Sequence, residues 1–434
     1  MPRRLSTSDA AFDDAFDAFL ELKRDTESNV EGVVADILSA VRARGDAAVA
    51  EFTERFDGVD LSVAGFRFSA EEIASAAAQC EPATLDALKA AADRIEDYHR
   101  RQIPDDSLYT DPAGVTLGAK WTPIASVGLY VPGGLAAYPS SVLMNAVPAR
   151  VAGVARVAMV VPTPGGEINP LVLAAAHIAG VEEIHRIGGA QAVAALAYGT
   201  DSVGAVDKIV GPGNAYVATA KRQVFGRVGI DLIAGPSEIL VVADSENDPE
   251  WIAADLMSQA EHDTAAQSVL ITDDAGFADA VAAAVDALLQ RLKRREIAAE
   301  SWREHGGIIV VRDWDEAVRL VDRIAPEHLE LAVAEPAALA EKIQHAGAIF
   351  LGRYTPEAVG DYVAGPNHVL PTSGSARFFS GLSVLDFMKR TSLVGCDAES
   401  LSRIGPPAVT LATAEGLEAH ALSISIRLDQ ESSG

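Results

Sequence analysis

The sequence predicts an α/β protein with two lobes, each built around a largely parallel sheet. Short β-rich runs, several ending in Gly or Pro, include "ARVAMVVPTP" and "DKIVGP", and Ala-rich helical patterns such as "NPLVLAAAHIAG" separate them. The same alternation recurs after residue 247 in "QSVLITDD", "GGIIVVRDW" and "GAIFLG". Strands that alternate with helices in this way form βαβ units. Ligands of such sheets are expected outside the carboxyl ends of the strands.

The remaining segments are less regular. Residues 30–120 are predicted to be helix-rich, and helices are expected over "DPEWIAADLMSQAEH" and around 276–296. The last fifty residues break the alternation of strands and helices. The segment "SLSRIGPPAVTLATAEGLEAHALSISIRL" is interpreted as a small tail module that ends in a strand.

Composition argues against several classes of function. Asp and Glu number 62 and Lys and Arg 35, an excess of 62 − 35 = 27 acidic residues, so a nucleic-acid partner is not expected. We find neither an apolar stretch of about 18 residues nor a convincing signal peptide, and we expect a cytoplasmic protein without membrane contact. Cys80 and Cys396 are far apart and are expected to be small buried residues rather than a disulfide or a zinc site.

Three Gly-rich turns follow β-rich runs: "YVPGG" at 130–134, "GGAQ" at 188–191 and "GPGN" at 211–214. Each leads into a helical pattern, and the N-terminus of a helix offers free N–H groups and a positive dipole end to an anion. No GxGxxG motif is present, so the turns favour an anionic ligand without proving a dinucleotide. Plain tight turns remain the alternative.

Other segments offer nitrogen and oxygen ligands for a metal ion. In "DLMSQAEHD" a helix would place Gln259 and His262 on one face. The loop "VGDYVAGPNHVLP" adds Asp361 and His368, and "AEGLEAHAL" adds Glu415 and His420. The alternative for His262 is a surface histidine stabilised by the helix C-terminus.

The pair Glu327-His328 follows a proline in "APEHLEL". Proline favours a turn from which both side chains can reach a cleft, and an adjacent carboxylate and imidazole suit general acid–base catalysis. The alternative is a helix start, with proline at the first position and glutamate in the first turn.

Taken together, the segments resemble histidinol dehydrogenases. The motifs "KIVGPGNAYVATAKRQV", "DLIAGPSEILVVAD", "DLMSQAEHD", "APEHLEL", "VGDYVAGPNHVLPT" and "AEGLEAHA" match that family in order, and the resemblance covers most of the chain from about 121 to 425. It implies oxidation of L-histidinol to L-histidine through L-histidinaldehyde, the last step of histidine biosynthesis. Each of the two oxidations passes a hydride to NAD.

The resemblance also implies roles for individual residues. His328 would be the general base, and Glu327 would activate the water that hydrates the aldehyde. One zinc ion per subunit would position the substrate, although such ligands also tolerate manganese or cobalt. The implied zinc ligands are Gln259, His262, Asp361 and His420. The implied substrate contacts are Ser237, Gln259, His262, His328, Asp361, His368, Glu415 and His420, and the implied NAD contacts are Tyr130, Gln191 and Asn214.

The family's architecture gives the expected domain plan. We expect two Rossmann-like lobes with largely parallel sheets and a small C-terminal tail module that completes the partner's site in a homodimer. The predicted boundaries are an N-terminal helical segment over 1–25, a first lobe over 26–129 and 239–381, a second lobe over 130–238, and the dimerisation tail over 382–434.

Two other functions are compatible with parts of the pattern. A catalytically silent two-lobed protein would keep the fold and close on a small imidazole or amine ligand. A metal-dependent hydrolase would use Glu327 as a base and need no NAD. The presence of both Glu327 and His328 argues against the silent binding protein.

Overall fold

The computed structural model describes residues 2–22, 30–133, 138–233 and 235–428. The chain divides into two compact units. The described parts of Met1–Gln102 and Ala125–Phe387 form the first, and Ile103–Ile124 with the described part of Met388–Gly434 forms the second. The predicted α/β class with largely parallel sheets is confirmed. Gly134 of the "YVPGG" turn lies outside the described residues, as do the ends of the predicted 1–25 segment and of the tail.

The first unit contains a six-stranded parallel sheet with the order β1-β11-β10-β9-β12-β13. Its strands are β1 (Arg3–Ser6), β9 (Glu238–Ala243), β10 (Gln267–Thr272), β11 (Gly307–Val310), β12 (His328–Ala332) and β13 (Ala348–Leu351). The helices that connect or follow them are α1 (Phe12–Glu21), α11 (Pro249–Ala260), α12 (Ala275–Leu289), α13 (Arg295–His305), α14 (Trp314–Ile324), α15 (Pro336–Ala340) and α16 (Glu357–Tyr362). The sequence analysis did not predict the edge strand β1.

The same unit contains a five-stranded parallel sheet with the order β6-β5-β4-β7-β8. Its strands are β4 (Ser126–Tyr130), β5 (Arg156–Val160), β6 (Glu183–His185), β7 (Lys208–Val210) and β8 (Gly229–Ile230). The helices around it are α2 (Glu31–Arg44), α3 (Asp46–Asp57), α4 (Leu61–Ala64), α5 (Ala70–Ala78), α6 (Pro82–Arg100), α7 (Pro139–Ala152), α8 (Pro170–Ala179), α9 (Gly189–Tyr198) and α10 (Ala215–Val224). Across the described ranges, no helix combines the length and the apolar character of a membrane span.

Strand β9 shows why these apolar runs form a central sheet. Every residue of "EILVVA" is buried. Leu240 and Val242 pack on one face of the sheet, whereas Ile239, Val241 and Ala243 pack on the other. Because side chains of a strand alternate between faces, a continuous apolar run requires cover on both sides, and helices supply it.

The second unit contains a three-stranded antiparallel sheet with the order β14-β3-β2 and two helices. Its elements are β2 (Ser107–Thr110), β3 (Thr116–Pro123), β14 (Met388–Gly395), α17 (Ala398–Ala414) and α18 (Glu418–Leu428). The predicted terminal strand is wrong, because "ALSISIRL" lies in α18. The alternation in that segment suggested a strand, but Ile424 and Leu428, four residues apart, lie on one helical face against Gly405 of α17.

Two smaller predictions are also wrong. The expected helix around 276–296 ends at Leu289. A second helix begins at Arg295, and Trp302 is one of its buried residues. Cys396 is exposed and Cys80 is only half-buried, so neither thiol is the small core residue that was expected.

A buried ion pair fixes the "GPGN" turn. The side chains of Lys221 and Asp231 are only 3% and 1% exposed, and they form an ion pair with each other. Lys221 Nζ donates to the carbonyl oxygen of Gly211 over 2.9 Å, and the amide N–H of Gly211 donates to Asp231 Oδ2 over 2.7 Å. Gly211 has a φ of +110°, and a Cβ there would lie 2.2 Å from the carbonyl oxygen of Tyr130. The two charges therefore hold a turn that only glycine can form.

We predict that Lys221→Met lowers the free energy of unfolding by about 3–5 kcal/mol, because it leaves a buried carboxylate without its cation. Urea unfolding followed by circular dichroism measures the loss. The matched control is Lys89→Met, which removes an exposed ion pair with Asp86 and should cost less than about 1 kcal/mol. The double variant Lys221→Met/Asp231→Leu should recover part of the loss. Equal effects of the two single changes would contradict a structural role of the buried pair.

Candidate active site

Ten of the twelve residues that the sequence analysis selected line one cleft in the first unit. The cleft has a volume of about 2250 Å³. Its walls carry the Gly-rich turns of the five-stranded sheet and the amino ends of β9 and β12. The ten residues are Tyr130, Gln191, Asn214, Ser237, Gln259, His262, Glu327, His328, Asp361 and His368.

The two sheets present opposite ends to this cleft. The turns after β4, β6 and β7 lie at carboxyl ends, as expected. The Glu327-His328 pair does not, because His328 is the first residue of β12 and Glu327 precedes it. This pair therefore lies at the amino end of its strand, and not at the carboxyl end, where the ligands of such sheets were expected. The alternative of a helix start at Pro326 is wrong as well.

One residue at the start of β9 holds both members of the pair. The amide N–H of Glu238 donates to Glu327 Oε2 over 2.9 Å, and the carbonyl oxygen of Glu238 lies 2.9 Å from His328 Nδ1. A carbonyl oxygen can only accept, so Nδ1 carries the hydrogen. In the neutral imidazole, Nε2 is then the basic nitrogen. Nε2 is buried, lies 3.4 Å from Glu357 Oε1 and makes no hydrogen bond among the described residues.

Burial changes the acidity of both groups. It raises the pKa of Glu327 well above its usual value of 4.5, and the nearby carboxylates of Glu238, Asp361 and Glu357 add to the effect. Burial lowers the pKa of His328 below 6.5, although the charge of Asp361 acts in the opposite direction. Glu327 thus becomes a stronger base when ionised, and His328 stays neutral at neutral pH.

Asp361 is the anionic centre of the site. Burial alone would raise the pKa of this carboxyl, but a hydrogen bond from His368 and the nearby imidazoles of His368, His328 and His262 lower it to about 2. His368 Nδ1 also donates to the backbone carbonyl oxygen of Asp361 over 3.1 Å, which leaves Nε2 to accept from the hydroxyl of Ser141 over 3.3 Å. Asp361 is therefore an ionised carboxylate among three histidines.

Three of the predicted metal ligands line the cleft and have the chemistry of a metal site. Gln259 is 1% exposed, and its Oε1 accepts no hydrogen bond from the described residues. A buried amide oxygen without a donor is costly unless another electrophile satisfies it. His262 lies just after the end of α11, exposed in the cleft wall. Gln259, His262 and Asp361 together offer the nitrogen and oxygen ligands that zinc accepts.

Glu357 is a site residue that the sequence analysis missed. His328, Glu357 and Asp361 form a group of possible ligands whose atoms all lie within 4.8 Å of one another. Glu357 and Asp361 are four residues apart on α16, and that spacing was visible in "PEAVGDY". Burial, followed by the carboxylate of Asp361, raises the pKa of Glu357 to about 9. Glu357 is therefore a neutral carboxylic acid at neutral pH that can donate a hydrogen bond.

Two further carboxyl groups lie behind Glu357. Glu330 accepts a hydrogen bond from the backbone N–H of Glu357 and interacts with Asp255. Burial raises the pKa of Asp255 to about 6 and raises that of Glu330 well above 4.5. At neutral pH Glu330 and Glu357 are therefore neutral and Asp255 is mostly ionised, so this group does not place several negative charges behind Asp361.

The Gly-rich turns are held at the opposite wall. The Tyr130 hydroxyl accepts from the backbone N–H of Gly189 over 3.1 Å, and burial raises the pKa of this phenol to about 12. Gln191 is buried, and its Oε1 has no donor among the described residues. The side chain of Asn214 caps α10 by accepting from the N–H groups of Tyr216 and Val217. The N-termini of α9 and α10 therefore border the cleft, where they favour an anion.

The two remaining predicted residues belong to the second unit. Glu415 is the C-cap of α17, and His420 lies in the first turn of α18. Both side chains are exposed. The sequence grouped them with the other site residues only through the family resemblance, and their roles stay predictions.

Comparison with known proteins identifies the family of the chain. The histidinol dehydrogenase family model matches residues 20–428. The histidinol dehydrogenase of Rhodospirillum rubrum is 66% identical over 431 residues, which cover 99% of each chain, and that of Rhizobium meliloti is 62% identical over 429 residues, with the same coverage. The crystal structure of histidinol dehydrogenase from Elizabethkingia anophelis superposes with a TM-score of 0.95 at 33% identity, covering 100% of this chain and 99% of that one. The family contains oxidoreductases, so a catalytically silent binding protein is not favoured. The chain belongs to the histidinol dehydrogenase family.

Proposed function

We propose that this protein oxidises L-histidinol to L-histidine through L-histidinaldehyde and reduces two molecules of NAD within the cleft of its first unit. The observation that carries the proposal is the shared anchoring of Glu327 and His328 on the peptide groups of Glu238, inside the cleft that the Gly-rich turns also line. The acid–base pair and the Gly-rich turns that would hold NAD therefore line the same cleft.

In the first oxidation, His328 Nε2 accepts the hydroxyl proton of L-histidinol while the carbon-bound hydrogen leaves as hydride. The fixed hydrogen on Nδ1 leaves Nε2 as the free base, and the lowered pKa keeps it unprotonated at neutral pH. Tyr130, Gln191 and Asn214 are the residues that would hold NAD, which when bound would supply the hydride acceptor.

The second oxidation requires water. An aldehyde must be hydrated to a gem-diol before it can lose another hydride. Glu327 takes the proton from that water, and its raised pKa makes the carboxylate a stronger base, most abundant at alkaline pH. The protonated imidazole of His328 returns its proton to the aldehyde oxygen, which completes the gem-diol. Its Nε2 is then free to accept a hydroxyl proton of the gem-diol in the second oxidation.

Four side chains are proposed to hold one zinc ion per subunit: Gln259, His262, Asp361 and, from the partner subunit, His420. The unsatisfied Oε1 of Gln259 and the ionised carboxylate of Asp361 support this set. When bound, zinc supplies a template that orients the imidazole and amino group of the substrate. Ser237, His368 and Glu415 are proposed to complete the substrate contacts.

We further propose a homodimer in which the second unit of each chain completes the site of its partner. Both tail residues of the site are exposed, and α17 and α18 also expose Leu411, Leu422 and Ile426. An apolar surface of this kind suits an interface between subunits. The cytoplasmic location expected from the sequence stays a prediction.

The stoichiometry of the reaction tests the function. We expect two NADH for each L-histidinol consumed, with loss of activity after chelation and recovery on addition of zinc, measured by absorbance at alkaline pH. One NADH with accumulation of free aldehyde would contradict the role of Glu327 in hydration. Turnover without NAD would favour the hydrolase, and no turnover would contradict the proposed oxidation.

Glu327→Gln should separate the two oxidations. The amide keeps the shape and the hydrogen bond from Glu238 but cannot take a proton, so hydration should slow by about 10²–10⁴-fold. Single-turnover experiments that start from L-histidinol or from L-histidinaldehyde measure each step. The first oxidation should remain within about tenfold of the wild type, since its proton goes to His328. Equal losses in both steps would overturn this assignment.

Mixed dimers test whether the site is shared. His420→Asn should weaken zinc binding, and Glu418→Gln on the same helix serves as the exposed control. A dimer of one His420→Asn subunit and one His328→Asn subunit should contain one intact site, because each chain supplies the residue that the other lacks. Activity should therefore appear when the two inactive homodimers are mixed and refolded. No recovery would place His420 in the site of its own subunit.

A further inference from the structure

The end of α3 forms a part of the cleft to which the proposed mechanism assigns no role. Phe52, Arg55, Phe56 and Asp57 all line the cleft, together with Tyr130 and Gln191. Arg55 lies over the ring of Phe56, 5.4 Å from its centroid. Asp57 is the only carboxylate among these four residues.

The position of Asp57 is unfavourable for a carboxylate. Asp57 is half-buried, and its Oδ2 is buried without a hydrogen-bond donor among the described residues. It is also the last residue of α3, where the negative end of the helix dipole disfavours an anion. Burial raises its pKa. A buried polar atom left without a partner calls for an explanation, and a ligand with hydroxyl donors would supply one.

The surroundings of Asp57 indicate which ligand that is. Asp57 lines the same cleft as Tyr130, and its charge adds to the effect of burial in raising the pKa of that phenol. The Tyr130 hydroxyl in turn accepts from Gly189 at the start of α9, where a phosphate would bind. Within a dinucleotide, the groups next to the phosphates that donate hydrogen bonds to a carboxylate are the hydroxyls of the ribose.

We propose that Asp57 accepts hydrogen bonds from ribose hydroxyls of NAD and thereby selects NAD over NADP. This inference rests on the proposed use of NAD in the cleft. A carboxylate satisfies hydroxyl donors, but it repels the 2′-phosphate of NADP at short range. Asp57 is thus a specificity-determining residue of the cosubstrate site.

The test compares Asp57→Ala and Asp57→Asn with wild type in steady-state assays with NAD and with NADP. For Asp57→Ala, the KM for NAD should rise about tenfold or more, the loss expected for a hydrogen bond to a charged group, and the KM for L-histidinol should change much less. For Asp57→Asn, the ratio of kcat/KM for NADP to that for NAD should rise, because the repulsive charge is gone. The matched control is Glu54→Gln, which removes an exposed charge from the same helix outside the cleft lining and should leave both KM values unchanged.

The outcomes separate this inference from the proposed function. Unchanged KM values and an unchanged NADP-to-NAD ratio in both Asp57 variants, with normal oxidation of L-histidinol, would overturn the role of Asp57 and leave the function standing. Failure of the wild type to reduce NAD would instead overturn the function. If Asp57→Ala does not fold, Asp57→Asn decides the matter, because the amide keeps the size and shape of the carboxylate and removes only its charge.

Discussion

The active site depends on the parallel register of β9 and β12. That register pairs His328 with Ile239 and brings both peptide groups of Glu238 against the acid–base pair. A slip of one residue would turn His328 to the opposite face of the sheet and remove both hydrogen bonds. Both faces of this sheet are packed with apolar side chains, so such a slip would also expose the core. The hydrophobic interior therefore sets the tautomer of His328, the proposed general base.

Burial is the main cause of the shifted pKa values of Glu327 and His328. It raises the pKa of Glu327 well above its usual value and lowers the pKa of His328 below its usual value. Glu357 stays neutral for the same reason, and only Asp361 is held firmly ionised by the histidines around it. A cleft with one stable anion and two bases of moderate strength suits a reaction in which protons leave in successive steps.

The sequence predicted features that depend on a local pattern of residues. It did not predict contacts between segments that are far apart in the chain. The alternation of strands and helices predicted both parallel sheets, and the motifs identified ten residues that share one cleft. The spacing of Glu357 and Asp361 carried a signal that was overlooked. The anchoring by Glu238 left no signal, because it uses backbone groups that every residue has. Nor could the antiparallel pairing of β3 with β14 be predicted, since nothing local links segments so far apart in the chain.

Because the two sheets are oriented oppositely, one side of the cleft favours an anion and the other side favours a cation. At the carboxyl edge of the five-stranded sheet, α9 and α10 begin, and their free N–H groups favour the phosphates of a dinucleotide. At the amino edge of the six-stranded sheet, α11 ends at Ala260, and its negative dipole end favours a cation beside Gln259 and His262. A cleft between two carboxyl edges would offer two anion sites and no such place for a metal ion. The opposite orientation of the two sheets is therefore what brings Glu327 and His328, at the amino end of β12, to the same cleft as the Gly-rich turns.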